Sequence, residues 1–135
     1  MNRAAVILAK DLPADAVAVS VALLAGQLAK STSWYHSPAT DVDGVEHCNP
    51  QHNIVVLRGR RSQLHNVLLD KPNGIEAYAL TARSRATSND PVANRETVAT
   101  TSVSSSELDG VAIIGPHETV TAATKKFSLY RAEKS

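Results

Sequence analysis

The chain has 135 residues, of which 43% are hydrophobic, and its 14 Lys and Arg against 13 Asp and Glu give a formal net charge of +1. This length suits one domain, residues 1–135, around a single core, and the balanced charge argues against nucleic acid as a partner. A lone cysteine cannot form an internal disulfide, which indicates a reducing, cytoplasmic compartment. No apolar run approaches about 20 residues, so we expect no membrane span.

The start of the chain predicts a strand followed by a helix. Residues 3–9 form a continuous apolar run, typical of a strand buried on both faces of a sheet. Asp11 is a candidate N-cap and Pro13 fixes φ near the first helical position, so a helix should begin there and end near Lys30. Its residues are apolar or small nearly all round, which predicts a well-buried helix rather than a surface amphipathic one.

The middle of the chain predicts a hairpin and a strand–helix–strand unit. Residues 31–50 are polar and contain Asp43-Gly44, a pair that favours tight turns. Residues 52–57 read as a second core strand, residues 60–70 as a short helix stopped by Pro72, and residues 75–82 as a third strand.

The last third of the chain contains a segment without a clear secondary-structure pattern, followed by a clear strand. Within residues 83–108, Asp90-Pro91 can begin a helix, whereas residues 102–106 should be loop. Residues 110–115 form a buried strand, Pro116 opens a last helix through Lys126, and residues 127–131 are expected to pack back. Alternating strands and helices predict a sheet covered on both faces.

Three stretches together resemble a bacterial family catalogued as domain of unknown function two thousand. They are Lys10-Asp-Leu-Pro13, Asp43-Gly44 with His47, and Gly115-Pro-His-Glu-Thr-Val120 with Thr124, Leu129 and Arg131. The resemblance implies the peptidyl-tRNA hydrolase II superfold, an α/β/α sandwich of three layers around a mixed four-stranded sheet, with no established activity. Enzymes of that superfold begin their first helix with lysines, whereas residues 14–18 contain none and Asp15 would repel a phosphate-rich substrate.

The stretch from Asp41 to His52 concentrates potential metal ligands and nucleophiles. His47 and Cys48 are adjacent, so in a strand they point to opposite faces and only one could join His52 in a metal site. We therefore predict no metal and no cofactor. A structural hairpin, whose carboxylates bond local N–H groups, and a nucleophilic Cys48 are the other interpretations.

The predicted site consists of residues placed by the resemblance or by their positions at strand ends and helix starts. His47 is the candidate catalytic residue, and Asp11, Asp43 and Thr119 are the candidate ligand-binding residues. Together they favour a protein that binds a small or anionic ligand near the strand ends. A capping role for Asp11 and a hairpin-tying role for His47 are the structural alternatives.

Two other function classes remain open. One is a hydrolase or transferase acting on an ester or peptidyl-RNA-like substrate, with His47 as general base and Arg60 and Arg61 holding phosphates. The other is a non-catalytic protein that forms a homodimer through the region of Trp34. The sequence has no Gly-x-Ser-x-Gly, P-loop, dinucleotide or His-Glu-x-x-His motif, which argues against those enzyme classes.

Overall fold

A computed structural model describes residues 2–31 and 35–131 of the chain. The strands are Asn2–Ala9 (β1), Ala39–Thr40 (β2), Glu46–His47 (β3), Asn53–Gly59 (β4), Glu76–Thr81 (β5), Leu108–Pro116 (β6) and Ser128–Leu129 (β7). The helices are Ala14–Ser31 (α1), Arg61–Leu69 (α2), Ala82–Ala86 (α3), Pro91–Ala99 (α4) and His117–Thr124 (α5). The predicted loop at residues 102–106 contains one short 3-10 turn, Val103–Ser105.

The main sheet is mixed and has five strands in the order β5-β6-β1-β4-β7, so the expected count of four is wrong. Strand β1 pairs in parallel with β4 and antiparallel with β6, while β5 adds antiparallel to β6. The fifth strand is the predicted tail, because Ser128 and Leu129 pair antiparallel with Arg58 and Leu57 of β4. The fold is therefore a mixed α/β arrangement, and the sandwich of three layers stays a prediction.

The core lies on the two central strands. The residues from Ala4 to Ala9 and from Leu108 to Ile114 are all buried, as a continuous apolar run predicts for strands covered on both faces. Leu28 of α1, Leu64 of α2 and Val120 of α5 are fully buried against this core. Helices α1, α2 and α5 therefore each contribute at least one large or branched side chain to the same hydrophobic cluster.

Helix α1 is less buried than its composition suggests, so that prediction is wrong. Its buried residues recur at every fourth position, namely Ala16, Ser20, Leu24 and Leu28. On the opposite side Val19 is 40% and Leu23 is 37% exposed. A helix that lies on a sheet covers only one of its sides, and small apolar residues tolerate exposure on the other.

Helix α1 is also long and apolar enough to cross a membrane by length and composition alone. This is weak evidence, because a core helix of a soluble protein passes the same test. Its buried stripe packs with the sheet in the hydrophobic cluster, and β6 makes room for Leu24 at Gly110. Helix α1 is therefore packed on the sheet as part of the α/β domain.

The segment after β5 departs from the sequence prediction in one element. Residue 82 was expected to end a strand, but it begins α3, where the Thr81 side chain accepts a hydrogen bond from the Ser84 N–H at 3.1 Å. The next prediction is confirmed, since Asp90 caps α4 by accepting from the N–H groups of Val92 and Ala93. A hydroxyl cap at Thr81 thus overrides the alternating pattern that preceded it.

Candidate functional site

The parallel strands end at one edge of the main sheet, which we call the carboxyl edge. Strands β1 and β4 are parallel, and β5 points the same way because both β5 and β1 are antiparallel to β6. Asp11 follows β1 by two residues, and α2 begins at Arg61, two residues after β4 ends. Ligands of open α/β sheets commonly bind outside such strand ends, so a site is expected at this edge.

An ion-pair cluster with a buried carboxylate at its centre occupies the carboxyl edge and consists of Asp11, Arg61, Arg85, Glu107 and Asp109. Asp109 is 1% exposed, and its carboxylate accepts from Arg85 Nε at 2.5 Å and from Arg61 Nη1 at 3.3 Å. A carboxylate removed from water requires this kind of pairing, because desolvation of an unpaired charge is costly. The cluster therefore fixes the starts of α2 and β6 relative to α3.

Arg61 is committed to this carboxyl-edge cluster. Its Nε lies 3.1 Å from Asp11 and 3.3 Å from Glu107, and its Nη1 donates to the Leu108 carbonyl oxygen at 2.5 Å. Asp11 thus binds the guanidinium of a residue that is 50 positions away along the chain. The expected capping role of Asp11 is wrong, because α1 begins only at residue 14. Arg61 Nε and Nη1 are thus both occupied by acceptors of the protein, which argues against the phosphate-holding role that the hydrolase alternative assigned to Arg61.

Asp109 and Arg85 were not among the site residues predicted from the sequence. A charged residue inside the apolar run from Leu108 to Ile114 was the available signal, because a strand buried on both faces accepts a carboxylate only with a partner. The partners could not be identified from the sequence, since Arg61 and Arg85 lie 48 and 24 residues away along the chain.

A groove of about 430 Å³ runs between α2 and α5 and opens beside the carboxyl edge. We call it the α2–α5 groove. Its lining contains three cations, Arg60, Lys125 and Lys126, and one carboxylate, Asp70. The remaining lining residues are Ser62, Gln63, Asn66, Val67, Pro72, Ala122, Ala123 and Phe127. Its volume lies within the usual range for small-molecule sites, about 300–1,000 Å³.

The predicted hairpin forms, with Asp41 as its central side chain. Gly44 adopts φ 83°, the left-handed conformation expected of a turn glycine. Asp41 Oδ1 accepts from the N–H groups of Asp43 and Val45, and Oδ2 lies 2.6 Å from His47 Nε2. The hydrogen bond to His47 first, and then those from the backbone, hold the pKa of Asp41 below its usual value of 3.8.

The four predicted site residues do not share one cleft. Asp11 lies at the carboxyl edge, whereas Thr119 belongs to α5, which begins after Pro116, the partner of Asn2 at the other end of β1. An eight-residue strand separates these two edges by about 26 Å. Asp43 and His47 lie in the exposed hairpin that leads into the start of β4.

The remaining candidates predicted from the sequence were Cys48, a metal site and Trp34. Cys48 is free and exposed. Across residues 2–31 and 35–131, no group of three or more His, Cys, Asp or Glu side chains is arranged to hold a metal ion. Trp34, on which the dimer hypothesis depended, lies outside the described residues.

Known proteins similar to this chain support its family and its fold. The family described as "Protein of unknown function (DUF2000)" matches residues 2–131. A solved structure of a protein of unknown function from Agrobacterium tumefaciens strain C58 is 23% identical, with a TM-score of 0.74 over 96% of this chain and 98% of that one. No curated protein matches the chain. The match to nearly every residue means that the chain belongs to the DUF2000 family of proteins of unknown function.

Proposed function

We propose that this protein binds a small anionic ligand in the α2–α5 groove, beside the carboxyl end of β4. The observation that carries the proposal is the surplus of cations in a groove of about 430 Å³, three against one carboxylate. No catalytic step is part of it. The proposed site is near the strand ends, like the one predicted from the sequence, but it uses other residues.

The cations of the groove are free to meet a ligand. Within residues 2–31 and 35–131, neither Arg60 nor Lys125 nor Lys126 belongs to an ion pair. Three like charges that line one concave surface raise its potential and concentrate anions there, although salt screens the effect beyond about 8–10 Å. This arrangement differs from the carboxyl-edge cluster, where protein carboxylates already neutralise Arg61 and Arg85.

The start of α2 adds to the positive potential. Its first turn contains no acidic residue, so no carboxylate of the helix itself offsets the partial positive charge of the helix N-terminus. The Gln63 side chain accepts from the Arg60 N–H at 2.9 Å and fixes the first turn beside the groove. A phosphate or carboxylate here would face both a helix N-terminus and the Arg60 guanidinium.

Phe127 gives the groove an apolar wall in a fixed position. Its ring packs so closely on the backbone of Gly59 that a Cβ added there would lie 2.3 Å from Phe127 Cδ1. Only a glycine leaves that space, so the contact places Phe127 and the preceding lysines beside the end of β4.

Titration with inorganic phosphate tests the proposal. We expect amide chemical-shift changes in Arg60, Ser62 and Lys126 at low salt, and about tenfold weaker binding for Lys125→Gln/Lys126→Gln, the effect of losing two exposed charge contacts. Lys30→Gln, at the far end of α1, is the matched control and should bind as the unchanged protein does. Equal binding by all three proteins, or shifts spread over the whole surface, would refute the proposal.

A second candidate function keeps His47 as a general base of a hydrolase. The observation that favours it is the 2.6 Å contact between His47 Nε2 and Asp41, because a carboxylate orients the imidazole in many acid–base sites. Release of free tRNA from a peptidyl-tRNA, lost in His47→Ala but kept in Lys30→Gln, would support it. No turnover by the unchanged protein would eliminate it.

The three-layer arrangement of the fold is also part of this proposal. Leu24 of α1 packs at Gly110, and Phe127, which follows α5, packs at Gly59. These glycines pair with Leu8 and Ala9, two adjacent positions of β1 whose side chains point to opposite faces. Helices on both faces support the three-layer arrangement of the peptidyl-tRNA hydrolase II superfold. A cytoplasmic location and a homodimer remain proposals that rest on the sequence.

A further inference from the structure

The two ends of the α2–α5 groove have opposite charge. Helix α2 carries Arg60 just before its start and Asp70 just after its end, and both residues line the groove. Ten helical residues span about 15 Å, so these two charged groups lie roughly that far apart. The groove is therefore electrically bipolar along its length.

The lysines belong to the positive end. Lys125 and Lys126 immediately precede Phe127, whose ring lies on Gly59, and Gly59 is the neighbour of Arg60 in the chain. Three cations are thus gathered around the end of β4. Asp70 and Pro72 line the other end, and Asp70 belongs to no ion pair within residues 2–31 and 35–131.

Asp70 is unfavourable for the helix that it ends. It occupies the C-cap of α2, where the helix carbonyls already concentrate partial negative charge, and the last turn contains no basic residue to offset it. A carboxylate at this position destabilises a helix slightly, so local stability does not explain it. An ammonium group of a ligand would relieve this repulsion, since it would meet the carboxylate and the negative helix end together.

The middle of the groove offers a polar side and an apolar side. Asn66 and Gln63 supply amide groups from α2, whereas Ala122, Ala123 and Phe127 supply apolar surface from the region of α5. Such a lining suits an extended chain that has polar groups along one side and small apolar groups along the other.

We propose that the ligand of the α2–α5 groove is a short linear zwitterion, such as an extended peptide of about four residues with free termini. Its carboxylate lies at Arg60, Lys125 and Lys126, and its ammonium group lies at Asp70. Four extended residues span about 13 Å, which matches the separation of the two charged ends. The proposal rests on the proposed anion site and names the ligand class of that same groove.

Three tetrapeptides test the contributions of the two charged ends of the ligand separately. Tetraalanine has both charges, N-acetyl-tetraalanine lacks the ammonium group, and tetraalanine amide lacks the carboxylate. In calorimetric or NMR titrations we expect tetraalanine to bind about three- to fivefold more tightly than either derivative, the scale of one exposed ion pair. Inorganic phosphate is titrated in parallel.

Asp70→Asn tests the assignment of the negative end. This variant removes an unfavourable helix charge, so it should fold at least as well as the unchanged protein. It should bind tetraalanine and N-acetyl-tetraalanine equally while its affinity for phosphate stays the same or rises. Asp15→Asn, an exposed carboxylate in the first turn of α1, should keep the three- to fivefold preference and serves as the matched control.

The outcomes separate this inference from the proposed function. If phosphate binds but the unchanged protein does not prefer tetraalanine to its acetylated form, the zwitterion assignment is wrong and the anion site stands. The same conclusion follows if Asp70→Asn keeps the preference. If phosphate does not bind in the groove, the proposed function and this inference both fail.

Discussion

Replacement of Asp109 by asparagine should destabilise the fold more than replacement of the exposed Glu107 by glutamine. The carboxylate is 1% exposed and contacts Arg61 and Arg85 at 3.3 and 2.5 Å. Asparagine keeps the shape of the side chain but removes its charge, so two guanidinium groups lose their buried counter-ion. The energetic cost is therefore mainly that of leaving these cations without compensation.

The size of the effect depends on how much of each arginine side chain remains exposed to water. Removal of one partner of a buried pair typically costs about 3–5 kcal/mol. Here the arginine side chains are 22% and 28% exposed, and Arg61 keeps its contacts with Asp11 and Glu107. Partial solvation lowers the expected loss in the free energy of unfolding to about 2–3 kcal/mol, or about 10 °C in Tm for a chain of this size.

Urea denaturation followed by circular dichroism measures this loss, with Glu107→Gln as the matched control. Glu107 contacts the same arginine, but its side chain is 61% exposed, so its removal should cost under about 1 kcal/mol. The double variant Arg85→Gln/Asp109→Asn should lose less free energy of unfolding than the two single variants together. Each single change already removes the ion-pair partner of the other residue. Equal losses for Asp109→Asn and Glu107→Gln would contradict the reasoning, because burial would then not set the cost.

The remaining predictions concern the glycine contact and the hairpin. Gly59→Ala should lower the free energy of unfolding by about 1–3 kcal/mol and weaken phosphate binding, because its Cβ would displace the Phe127 ring. Gly26→Ala, with nothing within 4 Å, should instead stabilise the helix by about 0.5–1 kcal/mol, and a loss there as large as at Gly59 would disprove the steric explanation. The pKa of Asp41 is lower in the folded chain than its usual 3.8, so its contribution to hairpin stability is complete above pH 3.8 and is lost as the pH falls through the folded value. Amide exchange at Val45 should accordingly accelerate in acid, beyond the intrinsic pH dependence, and an identical profile in Asp41→Asn would show that the carboxylate is not responsible.

Much of the secondary structure follows from local physics, which is why the sequence predicted it. The apolar runs at residues 3–9 and 110–115 are strands, and Asp90 caps α4 through its own side chain. The turn at Gly44 has the left-handed φ that its sequence favours. Each of these features depends on residues within a few positions of one another, so no knowledge of the tertiary fold is needed.

The burial of α1 was mispredicted because it depends on the sheet rather than on the helix. An apolar, small-residue composition is compatible with a helix enclosed on all sides and with one that lies on a single surface. The position of α1 on the sheet leaves Val19 and Leu23 partly exposed. The predicted number of strands was wrong for a similar reason, since Ser128 and Leu129 become a strand only by pairing with β4.

The candidate site was the least predictable part of the protein. The sequence by itself determined the order of the longer strands and helices, the turn at Gly44 and the cap at Asp90, because backbone propensities and short-range hydrogen bonds decide these. Only the tertiary structure decided that Asp11, Arg61 and Asp109 meet at one edge, and that Arg60 and Lys126 line one groove. Contacts between residues 47 to 66 positions apart depend on strand order and helix packing, and no local pattern encodes them.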